Sequence, residues 1–380
     1  MRTMERILRL MAERKASDVY FSANAPVQMR ISGQCVPINA QILPPEAPLA
    51  LLTEMVDSDR IEELTRSGEL NMALSLDNIG NYRISAMRQR GSYAIVVRHI
   101  APKIPTLAEL KLPDILKTLV MQQRGLILMV GATGVGKTST LASMLDHRNE
   151  HSGGHILTVE EPIEYIFTNK KSLVNQRDVG SDTASLQVAL KNALRQAPDV
   201  IQIGEIRDRE TMSAAIAYAQ AGHLCLATLH ANNAYRALNR ILSFYPAEVR
   251  PTLLGDLSSA LNAIVAQRLL RTPSGHRIPA VEIMLNTALI SDYIERGDFS
   301  GVREAMEQSM AEGSQTFEEN IASMIQDKLV TREEGLAQAD SPTNLLWRLA
   351  NYNKPVVKAE VKDDSADEPK FTEIALDVRY

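Results

Sequence analysis

The eight residues from Gly131 to Thr138, GATGVGKT, constrain this chain more than any other stretch of its sequence. They fit the pattern G-x-x-x-x-G-K-[ST], with the apolar run LILMV before them and a helical pattern after. Glycines at 131, 134 and 136 let the backbone curl until several N–H groups converge on one anion. The following helix offers its positive end to that same anion. Such a loop forms where a strand runs out into a helix, so the motif predicts an α/β sheet as well as a phosphate site. ATP and Mg²⁺ are the expected ligands. Gly131, Ala132, Thr133, Gly134, Val135, Gly136, Lys137, Thr138 and Ser139 would form the nucleotide cradle. Within it Lys137 acts as a point charge on the β- and γ-phosphates, and the Thr138 hydroxyl ligates Mg²⁺.

Around the loop, LILMV, HILTV, VIQIG and HLCLATL are short branched apolar runs. Helical patterns begin at Lys137 and cover Ser185 to Gln196 and Glu210 to Ala221. Strands alternating with helices predict a parallel sheet covered on both faces. Ligands of such sheets sit at the carboxyl ends of the strands, and three side chains fall there. Glu160, followed by Glu161, closes LTVE; Glu205 follows VIQIG, where Gly204 admits a close approach; His230 closes LCLATLH. Nucleotide hydrolysis needs a group to orient water and a carboxylate near the metal, which makes Glu160 and Glu205 the catalytic candidates. His230 is a candidate phosphate sensor. Each of the three also has an ordinary structural role open to it at a strand end.

Residues 1–100 read as a compact α+β domain. An amphipathic helix carrying Ile7, Leu8, Leu10 and Met11 comes first, then the β-type runs VYFSA, VQMRISG and CVPI. A helical stretch around Leu49 to Leu64 follows, and two strands, NYRISAMRQR and SYAIVVRHI, join at Gly91. Pro102, Pro105 and Pro113 mark 101–113 as a semi-rigid linker. The nucleotide domain then spans 114–285. Beyond it TFEENIASMIQDKL, with Phe317, Ile321, Ile325 and Leu329 on one face, predicts a helical subdomain over 286–350. The charged KAEVKDDSADEPK predicts a flexible tail over 351–380.

A length of 380 residues exceeds what one core normally spans, which agrees with two domains. The net charge of -5 argues against a nucleic-acid partner, and a helicase-like reading weakens with it. No apolar stretch approaches the roughly 18 residues of a membrane span, and the first helix lacks a signal peptide's apolar core. A soluble cytoplasmic protein is expected, with any membrane role supplied by partners. Cys35 and Cys225 lie in apolar sequence surroundings and are expected as buried free thiols. His147, His151 and His155 repeat every four residues, but Ser152, Gly153 and Gly154 break the helix before the third, so surface histidines are expected.

Taken in order, GATGVGKT, LTVEEPIEY, IGEIRD and GHLCLATLHANNA resemble the four boxes of the secretion ATPases of the type II/type IV pilus superfamily. Those boxes are the Walker A, an acidic box, an atypical Walker B ending in glutamate, and a histidine box. The resemblance covers nearly the whole chain and is strongest toward the twitching-motility retraction ATPases of PilT and PilU type. SDVYFSANAPVQMRISG and NYRISAMRQR…VVRHI also resemble theirs. The resemblance implies a PAS-like N-terminal domain joined to a RecA-like P-loop ATPase domain, assembled as a homohexamer with ATP between subunits. By position it implies Glu160 as general base and Glu205 as Walker B support for Mg²⁺ or the water. It also implies His223 and His230 as histidine-box residues, and Arg83 and Arg98 as arginine-finger-like groups. Such a protein would be cytoplasmic and peripheral at the inner-membrane pilus base, working with a PilT-type ATPase on an inner-membrane platform protein.

Three departures refine this. EEP stands where EDP is commonest, and Glu161 keeps the charge. The four-cysteine zinc insertion of extension and secretion members is absent, which favours retraction. TALISDYIERGD, with Ser291 at the arginine position, stands where PilT-type proteins carry AIRNLIRE. That loss, with GSQTFEENIASM and ADSPTNLLWRL, resembles the accessory PilU type. The alternative function is a nucleotide-binding regulatory scaffold of a PilT ring with little motor activity of its own.

Overall fold

The computed structural model describes residues 2–31, 33–76, 79–100, 103–308 and 311–351. The tail expected over 351–380 lies, from residue 352 on, outside them.

The N-terminal part opens with α1 (Thr3–Glu13), β1 (Asp18–Ser22), β2 (Pro26–Ile31) and β3 (Gln34–Ile42). It continues with α2 (Ala47–Thr53), α3 (Ser58–Ser67), β4 (Glu69–Leu76), β5 (Gly80–Gln89) and β6 (Ser92–Ile100). The strands form one antiparallel sheet in the order β3-β2-β1-β6-β5-β4. The single helical stretch expected around Leu49 to Leu64 is two helices, because Asp57 begins a new one in extended conformation. Strand alternation turns Val19, Phe21, Met29, Tyr82, Ile84 and Val97 toward Met4, Leu8, Met11, Leu52 and Leu64 of the helices. Each such side chain contributes about 1.5–3 kcal/mol by leaving water. The same alternation leaves the polar face of the sheet uncovered by these helices. Cys35 is exposed on β3, correcting the expectation of a buried thiol; β3 is an edge strand and little packs over it. Cys225 is fully buried, and its surroundings push the thiol well above its usual range.

The second part runs through α4 (Ile115–Val120), β7 (Gly125–Val130), α5 (Lys137–His151), β8 (Gly154–Glu160) and β9 (Ser172–Asp178). Next come α6 (Leu186–Ala193), β10 (Val200–Ile203), α7 (Arg209–Gln220), β11 (Leu224–Leu229), α8 (Ala234–Ser243) and α9 (Arg250–Ala260). β12 (Leu261–Arg271) and β13 (Arg277–Leu285) end the sheet, and α10 (Ala288–Arg296), α11 (Phe299–Glu307), α12 (Phe317–Gln326), α13 (Arg332–Gln338) and α14 (Pro342–Asn351) follow. The sheet order is β13-β12-β7-β11-β10-β8-β9. Every pairing is parallel except β12 with β13, so the sheet is parallel with one antiparallel edge strand rather than parallel throughout. α4 and α5 cover one face through Leu116, Leu141, Met144 and Leu145. α6 to α9 cover the other through Leu190, Met212, Leu238 and Leu257.

The two parts touch where the Arg60 guanidinium of α3 donates to the Gly180 carbonyl at 2.6 Å.

Candidate active site

β7, β8, β10 and β11 are neighbours in the sheet, so their carboxyl ends meet at one place. A cavity of about 730 Å³ opens there, lined by Gly134, Lys137, Thr138, Ser139, Glu160, Gly204, Glu205 and His230 among others. The structure thus brings the loop, both catalytic candidates and one histidine together.

The loop's shape depends on close packing at its start. Gly131 has φ +151°, and a Cβ there would lie 2.6 Å from the Gln267 carbonyl oxygen. Gln267 of β12 clamps the loop: its carboxamide nitrogen donates to the Val135 carbonyl at 2.7 Å and its oxygen accepts from Thr140 at 2.8 Å. The Lys137 ammonium donates to the Gly131 and Ala132 carbonyls at 2.8 Å each. Burial holds it below the ordinary lysine range, against the opposing pull of Glu205 and Glu164. Ser139 shares a 2.7 Å hydrogen bond with the Tyr165 hydroxyl. Ala132 and Val135 line a second cavity on the other side of the loop, with Arg268, Arg271 and Arg277.

Glu160 is buried at the end of β8. One oxygen accepts from Thr158 at 2.7 Å and from Gln176 at 3.2 Å. Burial dominates those stabilising bonds and pushes the carboxyl up to about 7. Gln176 of β9 also donates to the Tyr165 carbonyl and accepts from the Phe167 amide, tying the loop after Glu160 to its strand. Gly204 lets the next strand approach: a Cβ there would stand 3.2 Å from the Val159 oxygen and 3.3 Å from the Glu160 Cα. Glu205 pairs with His230 Nε2 at 2.9 Å and with Arg207 at 2.8 Å, and Arg207 reaches Glu161 at 3.2 Å. The cavity therefore holds five carboxylates (Glu160, Glu161, Glu164, Glu205 and Asp208) against the cations Lys137 and Arg207. A triphosphate entering it needs a divalent cation to offset like charge, and the oxygen donors Thr138 and Glu205 suit magnesium.

Three expected residues stand elsewhere. His223 precedes β11, at the opposite end of the strand from His230, and its Nδ1 hydrogen-bonds the Pro198 carbonyl at 2.8 Å. Arg83 and Arg98 are cross-strand neighbours on β5 and β6 of the first sheet and do not line this cavity. The sequence reading missed Thr158, Gln176, Arg207 and Gln267. For the glutamines, a polar residue inside an otherwise apolar or strand-like run was the available signal.

A Gly-rich loop joining a parallel strand to a helix, with acidic strand ends facing it, defines a P-loop nucleotide-hydrolase architecture. Comparison with known proteins narrows the class. The family model described as "Type II/IV secretion system protein" matches residues 1–338. The type IV pilus ATPase PilU of Pseudomonas aeruginosa is 46% identical over 342 residues, covering 90% of each chain. PilT of the same organism, a type IV pilus retraction ATPase, is 33% identical over 338 residues, 89% of this chain and 98% of that one. The crystal structure of the pilus retraction motor PilT with bound ADP superposes with a TM-score of 0.85 at 34% identity, covering 91% of this chain and 99% of that one. The chain belongs to the type II/IV secretion system family, and within it to the ATPases of PilT/PilU type.

Proposed function

We propose that this chain hydrolyses ATP as a homohexameric motor that drives or assists type IV pilus retraction, in the accessory manner of PilU. The observation carrying the proposal is the convergence of Lys137, Glu160, Glu205 and His230 on one cavity at four neighbouring strand ends. In this reading the loop from Gly131 to Ser139 holds the phosphates, and Lys137 leaves its carbonyl partners to meet the β- and γ-oxygens. Magnesium, held by Thr138 and Glu205, would offset the charge of the triphosphate. Glu160 takes a proton from the attacking water, and His230 senses the γ-phosphate through its bond to Glu205. Arg83 and Arg98 belong to residues 1–100, which with 101–113, 114–285 and 286–350 we treat as the N-terminal domain, linker, ATPase domain and helical subdomain. Standing apart from their own chain's cavity, these arginines suit a role at a neighbouring subunit.

The accessory assignment draws support from the PilU relative at 46% identity and from Ser291 in α10, whose hydroxyl caps back to the Ser258 carbonyl at 3.3 Å. Among the described residues no helix is long and apolar enough to cross a membrane, so attachment at the inner-membrane pilus base would run through a platform protein. The test is phosphate release by the purified chain beside Lys137→Ala and Glu205→Ala. Each change is expected to lower turnover by at least about 10²-fold. Turnover indifferent to both would sink the proposal. Nucleotide binding without turnover would favour the regulatory scaffold instead. Retraction under load, scored with and without the PilT-type partner, then separates an accessory from an independent motor.

A further inference from the structure

β10 is a four-residue strand, Val-Ile-Gln-Ile, flanked on both sides by other strands. Three of its residues are apolar. The fourth, Gln202, is 4% exposed and lines the nucleotide cavity. Among the described residues its carboxamide has no hydrogen-bond partner. Leaving an amide unpaired in a sheet interior is costly, and an apolar residue would avoid that cost. A buried polar group aimed into a cavity without a protein partner is built for something the cavity receives.

The register says what. Gln202 stands directly opposite Thr158 of β8, so Glu160 is its same-face diagonal neighbour. Diagonal neighbours on adjacent strands stand roughly 7–8 Å apart, a gap that two side chains bridge through one water. The other polar groups of this floor are occupied. Thr158 and Gln176 both donate to Glu160 Oε1, Gln176 is further bound to Tyr165 and Phe167, and Thr228 donates to the Gly204 carbonyl. The Thr211 hydroxyl is also unpaired, but it belongs to α7 rather than to these strands and is almost fully enclosed.

We propose that Gln202 is a further catalytic residue, orienting the attacking water between its carboxamide and the second carboxyl oxygen of Glu160, the one that Thr158 and Gln176 do not bond. This rests on the ATPase assignment. The water oxygen bonds to the γ-phosphorus as the bond from that phosphorus to the bridging oxygen breaks. The electron pair leaves on ADP, and one water proton passes to Glu160. Gln202 neither gives nor takes a proton: its carbonyl accepts from the water's second O–H, and its N–H directs the lone pair.

Gln202→Met keeps length and volume while removing both hydrogen-bonding groups. In the full chain it is expected to lower kcat about 10²-fold, with KM, the affinity for a fluorescent ATP analogue and the melting temperature unchanged. Wild-type kcat in this variant overturns the proposal. So does a joint loss of kcat, nucleotide affinity and melting temperature, which marks a purely structural amide. Gln202→Leu, which removes both hydrogen-bonding groups at smaller volume and adds no charge beside Glu160, provides the same reading if the methionine variant does not fold: reduced kcat with unchanged nucleotide affinity supports the role, unchanged kcat overturns it. Lys137→Ala is the control. An unmodified chain without turnover fails the ATPase assignment itself, whereas turnover that ignores Gln202 fails this inference alone.

Discussion

In the proposed mechanism Glu160 is the side chain on which most of the chemistry rests. A carboxyl pushed up to about 7 by burial is a poor acid to ionise but a good base near neutral pH. Below that value the proton stays on and no base is available; above it the carboxylate is present and the rate levels. Turnover is therefore expected to climb as pH rises toward about 7 and then to plateau, measured by phosphate release between about pH 5.5 and 8.5. Glu160→Gln should lower kcat by about 10²- to 10⁴-fold, flatten that rising limb, and leave ATP affinity intact. Equal loss of affinity would show that Glu160 binds rather than reacts. Glu160, Glu205 and His230 were legible from the sequence because each sits at a strand end, and Lys137 because it opens α5 inside the glycine-loop motif, where one-dimensional spacing alone says enough. Thr158, Gln176, Gln202 and Gln267 were not, because what they touch depends on register between strands far apart in the chain.

At the scale of elements, each missed strand has its own cause. β4, ELNMALSL, alternates perfectly, but Glu, Leu, Met and Ala are helix formers and it follows a helix directly. β9 is mostly polar because it is an edge strand. β12 continues from α9 without a break, so its leucines read as more helix. Yet β12 supplies the clamp beneath the loop. Gln267→Leu removes one buried and one part-buried hydrogen bond and should cost about 1–3 kcal/mol of stability, with weakened ATP binding, seen by melting and by titration. An unchanged ATP affinity would mean the loop holds its own shape. β13 carries a second buried acid, Glu282, which accepts from the Ala234 amide at the start of α8 at 2.8 Å. Burial raises it from 4.5 to about 7. As pH rises through that window the unfolded carboxyl ionises while the folded one resists, so stability is lost progressively and stays lowered above it. Glu282→Gln should therefore be more stable than the parent at about pH 8, by up to about 3 kcal/mol, and match it near pH 4.5 in thermal melts.

For the whole molecule, the outer face of the first sheet is the part that its own chain does not explain. Arg30, Asp18, Arg98 and Arg83 stand in one row across β2, β1, β6 and β5. Asp18 holds Arg98 at 2.8 Å and Arg30 at 3.5 Å, which leaves Arg83 without a carboxylate partner among the described residues. Like charges opposite each other on a sheet are unfavourable, so Arg83 beside Arg98 asks for an anion from outside. The Arg60 contact to Gly180 ties this domain to the segment that continues into Ala184 to Gln187 at the cavity rim. This contact sets α3 of the first domain beside that rim. If the row completes a neighbour's site in a closed ring, each interface is heterologous, with a cavity from one subunit and arginines from the next. Rings of chains doubly changed at Arg83→Ala and Arg98→Ala should then be inactive alone, as should rings of Lys137→Ala chains. Mixed in equal amounts and reassembled, roughly a quarter of interfaces would pair an intact loop with intact arginines. Turnover should reappear on mixing, in proportion to that fraction, in phosphate release from the mixed rings. Were the arginines to serve their own chain's cavity, every subunit would still carry one defect, and mixing would restore nothing.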